Sequence, residues 1–222
     1  MAVATLRGSI FEPSVAIPSA AYAIAGLAVA VGGGVGGASR VFVTDYNNMN
    51  SRVRWCDWQG SACTTPGAGP WSFSLKAAHG LTIVALPSVG PLLVVGSNDG
   101  VVTVYTAPNA SSPTALAVTS QRLGDFNNRL GISLAAVGGD VTGDGVPDVL
   151  AGADHWTDRA GGEVWRLAMA ADGTLNTTAG ATRKLALPGS PISLLGRGVG
   201  VWRGDCGRVW ALASSSPDTA AT

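Results

Sequence analysis

The chain has 222 residues, no net charge and only 13% charged residues, against 46% apolar ones and 31 glycines. That is about half the usual ~25% charge, and with no basic block it leaves a nucleic-acid partner no electrostatic footprint. Apolar runs rich in Val, Gly and Thr, short on helical period, predict packed sheets joined by turns, an all-β fold.

In chain order, the stretch from Ser14 to Ser39 carries no charge. It reads either as a targeting segment or as buried strands. Pro18, the Gly32-Gly33-Gly34 run and the dominance of Ala and Gly favour strands. Leu27 to Gly32, returning through Arg40 to Val43, is a first strand pair. Asn47 to Trp71 reads as a long loop carrying Arg52, Arg54, Trp55, Cys56, Trp58, Cys63 and Trp71. Cys56 and Cys63 form either a local disulfide, as suits a secreted protein, or two free thiols; Cys206 is left over.

Leu92 to Gly96 and Val101 to Tyr105 flank Ser97-Asn98-Asp99-Gly100, a strong hairpin signal. The strand before them, Gly80 to Ala85, aligns with Gly131 to Ala136. Its following loop, Leu86-Pro87-Ser88-Val89-Gly90, has no carboxylate and is expected to bind no metal.

The most informative stretch is Asp140-Val141-Thr142-Gly143-Asp144-Gly145-Val146-Pro147-Asp148. Side-chain oxygens fall at Asp140, Thr142 and Asp144, and Asp148 closes the run. Gly143 and Gly145 let the backbone curl, which turns the Val146 carbonyl inward. Crowded carboxylates in a flexible, oxygen-only loop suit a hard cation, Ca²⁺ better than Mg²⁺. The expected ligands are therefore Asp140, Thr142, Asp144, Val146 and Asp148, holding one structural Ca²⁺. An EF-hand needs a bidentate Glu at loop position twelve, where Ala151 stands, and a helix to follow. Val149 to Ala153 is instead a short apolar strand, so the loop belongs in a β-hairpin. The metal-free alternative is a turn rich in Asp and Gly.

Leu130-Gly131-Ile132-Ser133-Leu134-Ala135, the acidic loop, Val149 to Ala153, and Gly162-Glu163-Val164-Trp165 together resemble an FG-GAP repeat. That repeat is the blade unit of integrin alpha-subunit β-propellers and their bacterial and protist relatives. Leu130-Gly131 stands for the family's Phe-Gly, and Gly152-Ala153-Asp154 for its Gly-Ala-Pro. The full motif covers about residues 130–167.

Val-aromatic pairs at Val41-Phe42, Val104-Tyr105, Val164-Trp165 and Val209-Trp210 recur at intervals that suit a propeller more than a solenoid. The expectation is about four FG-GAP-like β-propeller blades across residues 1–213, near 15–75, 76–120, 121–187 and 188–213, with 214–222 a disordered tail. Integrin-type propellers close with seven blades. Four imply a fragment or open arc, a small closed ring, or two copies completing one ring through open blade edges.

The resemblance implies a calcium-stabilised module that binds proteins or mediates adhesion at the cell surface or outside the cell. A glycan-binding propeller is the alternative, with Trp55, Trp58, Trp71 and Trp156 stacking on sugars while Trp165 and Trp210 fill the core. A third reading is an accessory domain of a secreted hydrolase. No nucleophile elbow, zinc-protease helix motif or phosphate loop appears, so no catalytic residue is expected. Arg203-Gly204-Asp205 matches the adhesive tripeptide but fits an ordinary turn. His79 and His155 lie far apart in sequence; His155, after the calcium strand, reads as a solvated loop residue with ligand contact as the alternative, and Asp154 and Asp158 as a solvated loop with an acidic rim as the alternative. Asn109-Ala110-Ser111 and Asn176-Thr177-Thr178 match the glycosylation triplet.

Overall fold

The computed structural model describes residues 2–7, 10–16, 24–33, 39–46, 51–59, 62–64, 72–75, 78–106, 117–124, 128–155, 162–178, 181–185, 196–203 and 208–214. Among these residues it is all-β, with seventeen strands in five antiparallel sheets and no helix. The chain divides into two compact units, Met1–Ala78 with Pro108–Ala115, and His79–Ala107 with Leu116–Thr222.

In the first unit, β1 (Ala2–Arg7) pairs with β2 (Ile10–Ala16). A five-stranded sheet contains β3 (Ile24–Gly33), β4 (Ser39–Tyr46), β5 (Ser51–Gln59) and β6 (Ala62–Thr64) in order, with β7 (Ser72–Leu75) also pairing with β5. Where it is described, at 51–59 and 62–64, the expected loop from Asn47 to Trp71 is strand. The alternation in Arg52-Val53-Arg54-Trp55 is a strand period, in which Val53 and Trp55 are buried while Arg52 is exposed. Trp55 packs on Phe42 across the sheet, ring centroids 6.2 Å apart, so it is no loop platform for a sugar. Arg40 and Asp57, opposite each other on β4 and β5, form a buried two-point ion pair, Nε–Oδ1 2.7 Å and Nη2–Oδ2 2.8 Å.

The second unit holds two four-stranded meanders. One has β8 (Ala78–Leu86), β9 (Gly90–Ser97), β10 (Val101–Thr106) and β11 (Ala117–Arg122) as successive neighbours. Gly100 closes its central hairpin at φ 78°, a left-handed position that favours glycine, and its amide donates to the Ser97 carbonyl. The other meander has β12 (Ser133–Ala136), β13 (Val149–Ala153), β14 (Glu163–Leu167) and β15 (Arg183–Lys184). A pair, β16 (Gly198–Arg203) and β17 (Val209–Ser214), follows. Val84, Val94, Val104, Leu134, Val149 and Leu167 belong to one continuous core shared by the meanders.

Glycine sets how these sheets meet. A Cβ on Gly96 of β9 would run into the carbonyl of Gly131, and one on Gly152 of β13 into the carbonyl of Gly196. Gly131 and Gly196 enter β12 and β16 at φ 103° and 86°. At each joint a left-handed glycine leads into a sheet and lies on a strand glycine of the sheet before it.

Candidate metal loop and its surroundings

Ala136 pairs with Val149, so residues 137–148 span a hairpin between β12 and β13. Strand, not helix, follows Asp148, which removes the EF-hand geometry. Val137 donates to the Asp148 carbonyl (2.9 Å) and Asp148 to the Gly139 carbonyl (3.2 Å), closing the base.

Asp140 organises the turn. Its Oδ1 accepts from the amides of Thr142 (2.8 Å) and Gly143 (2.7 Å) and from the Thr142 hydroxyl (3.0 Å), and its Oδ2 from the Gly145 amide (2.6 Å). These donors, the Gly145 amide foremost, hold its carboxyl at about 2. Gly143 and Gly145 sit at φ 86° and 82° with open space where a Cβ would be. Asp144 Oδ1 accepts from the Val146 amide (2.9 Å), and Val146 packs on the core.

Asp148 is wholly buried. Its Oδ2 accepts from the Val141 amide (2.8 Å), while Oδ1 is buried without a hydrogen-bond partner. Burial pushes this carboxyl up; the Val141 amide and the Arg166 charge oppose the shift, and Asp144 and Asp140 add to it. An unmatched carboxylate oxygen beside two further carboxylates is the chemistry a hard cation relieves. The five expected ligand residues thus lie on one hairpin loop. However, no three His, Cys, Asp or Glu side chains among the described residues stand together as a metal-binding group. Asp140 is instead turned onto its own loop amides.

Sequence reasoning missed what lies at the far ends of the same strands. Asp154, expected in a solvated loop, is wholly buried and paired to Arg129, with Nε–Oδ1 at 2.8 Å and a second contact from Nη2 to Oδ2. Asp154 directly follows buried Ala153, and its cation comes from a separate loop. Arg129 and His155 both have positive φ, 50° and 47°. His155 Nε2 lies 3.5 Å from Glu163 Oε1, which also takes Lys184 Nζ at 2.5 Å, while Glu163 Oε2 accepts from the Trp165 indole at 2.8 Å. His79 is held down at about 4 by burial and by the Arg129 charge.

Trp165 is partly buried against the core, as expected, whereas Trp210 is 50% exposed. Asn176 of the glycosylation triplet accepts from the Thr178 amide at 3.0 Å. Cys56 is in a disulfide; the side chains of Cys63 and Trp58 lie outside the described set. Trp71, Trp156, Asp158, Gly204, Asp205, Cys206, the Asn109 triplet and the tail 215–222 likewise fall outside the described residues. Arg203, the first residue of the adhesive-like tripeptide, donates from Nη2 to the Gly138 carbonyl at 3.0 Å.

No family model matches this sequence, and comparison with curated proteins found no match.

Proposed function

We propose that this chain is a calcium-stabilised binding module of FG-GAP type, built from β-propeller blades, and not an enzyme. The observation that carries the reading is Asp148, a buried carboxylate with one unmatched oxygen at the closing position of an oxygen-rich loop between two strands. Ca²⁺ supplies the missing positive charge. Asp140, Thr142, Asp144, the Val146 carbonyl and Asp148 would hold it, and its role is to fix the bend, so that binding free energy becomes folding free energy. Two consecutive four-stranded meanders with a repeated glycine joint support blades as the architecture.

On this reading partners are proteins, met through loops on a rigid sheet scaffold at the cell surface or outside the cell. The Cys56 disulfide suits an oxidising compartment. Calcium calorimetry tests the proposal: one site and a raised melting temperature are expected, both lost in Asp144→Ala. The same melting temperature in Ca²⁺ and in chelator would contradict it.

A further inference from the structure

Between β14 and β15 stands the triplet Asn176-Thr177-Thr178. The backbone of Asn176 is engaged on both sides. Its amide donates to the Ala168 carbonyl (2.9 Å). Its carbonyl accepts from the Thr182 hydroxyl (2.8 Å), which in turn accepts from the Ala168 amide (3.2 Å). The Thr178 carbonyl accepts from the Ala181 amide (3.0 Å).

The Asn176 side chain is engaged at one end only. Of the two ends of a carboxamide, only the oxygen can meet a backbone N–H, so the 3.0 Å bond from the Thr178 amide fixes which end faces the chain. Nδ2 makes no hydrogen bond among the described residues, and it is not one of their buried polar atoms without a partner. It therefore meets solvent. Asn176 is half-buried, and Thr177 and Thr178 are exposed.

Turns of this kind recur in the second unit. Asn128 accepts from the Leu130 amide (3.1 Å) and Asp172 from the Thr174 amide (2.9 Å). The turn by itself is thus a local folding device. Asn128 has no hydroxyl two residues on, and Asp172 has no amide nitrogen. At Asn176 the carboxamide and the hydroxyl coincide, with a residue other than proline between them, as N-linked modification requires.

We infer that Asn176 is an N-linked glycosylation site. The co-substrate is an oligosaccharide carried on a lipid pyrophosphate. A bond forms between Nδ2 and the anomeric carbon, and the bond from that carbon to the pyrophosphate oxygen breaks. The lipid pyrophosphate leaves with the electron pair, and one Nδ2 proton passes to a base of the transferase. Oδ1 takes no part, so the modified residue still accepts from the Thr178 amide. Only an atom already in solvent carries the sugar, and the glycan costs the fold no hydrogen bond. The site rests on the exported location proposed above and not on the metal loop. The Cys56 disulfide suits the oxidising compartment in which such transfer takes place.

Peptide mapping of the full chain isolated from its own cells tests this. Glycan release by an amidase in heavy-oxygen water should convert the Asn176 carboxamide to a labelled carboxylate. An oxidised Cys56 beside an unmodified Asn176 overturns this inference alone. A reduced Cys56 beside an unmodified Asn176 overturns the exported location with it. Translation of the full chain into endoplasmic-reticulum microsomes behind a cleavable secretory leader, scored on protease-protected molecules, gives a readout that does not depend on folding. Asn176→Gln and Thr178→Ala should each lose one glycan and Thr178→Ser should keep it, whether or not Asn109 carries another. The same number of glycans on the parent and on Asn176→Gln overturns the inference.

Discussion

Gly152 lies against Gly196 with no room for a Cβ between them, the same relationship that joins Gly96 to Gly131. Close backbone approach thus fixes the spacing of successive sheets in the second unit. Gly152→Ala is expected to cost about 2–3 kcal/mol through overpacking against a backbone that cannot retreat. Gly143→Ala, where space is open but φ is 86°, should cost about 1 kcal/mol from strain alone. Urea unfolding of both variants checks the order. A Gly152→Ala penalty no larger than that of Gly143→Ala would mean that the joint yields.

Local signals in the sequence carried well. Asn98-Asp99-Gly100 names its own hairpin because the turn needs a left-handed glycine, and the hairpin joins β9 to β10. The run from Asp140 to Asp148 likewise marks a loop between strands, because its side-chain oxygens bond its own amides. Long-range pairing was not legible. Arg40 opens an expected strand and Asp57 lies in an expected loop, and only the β4–β5 register places them opposite each other. Asp154 looks solvated until Arg129, from another loop, covers it. The recurring Val-aromatic pair identified Val209-Trp210 as strand, but not whether another sheet would cover that face. The sequence reading therefore placed Trp210 inside and Trp55 outside, the reverse of what is found.

Breaking the Arg40–Asp57 pair should be costly while removing it whole should not. Asp57→Ala leaves a guanidinium buried without its counter-charge and is expected to lose about 3–5 kcal/mol. Arg40→Met with Asp57→Leu should recover most of that loss, because neither charge then has to be desolvated. Denaturant midpoints of the single and double variants decide. A double variant as unstable as the single one would show that the pair specifies the β4–β5 register and is not simply desolvated charge.

His79 should make stability fall in acid. Its folded pKa of about 4 lies below the ordinary imidazole value of 6.5, so the unfolded chain takes up the proton first. The contribution is complete above about pH 6.5 and is lost as pH falls towards 4, by about 2 kcal/mol. His79→Gln should flatten that part of the stability profile. Parallel profiles for the two proteins between pH 7 and pH 4 would show that burial does not hold the imidazole neutral.

The reading of the acidic hairpin rests on whether a cation matches the stranded oxygen of Asp148. The direct measurement is a thermal melt of the whole chain in Ca²⁺ and in chelator, beside Asp144→Ala and Asp148→Asn. The expected result is a several-degree rise with Ca²⁺ in the unaltered chain and none in either variant. An unaltered chain that melts at one temperature in both conditions, with Asp148→Asn more stable than the parent, would identify the run from Asp140 to Asp148 as a turn that binds no metal.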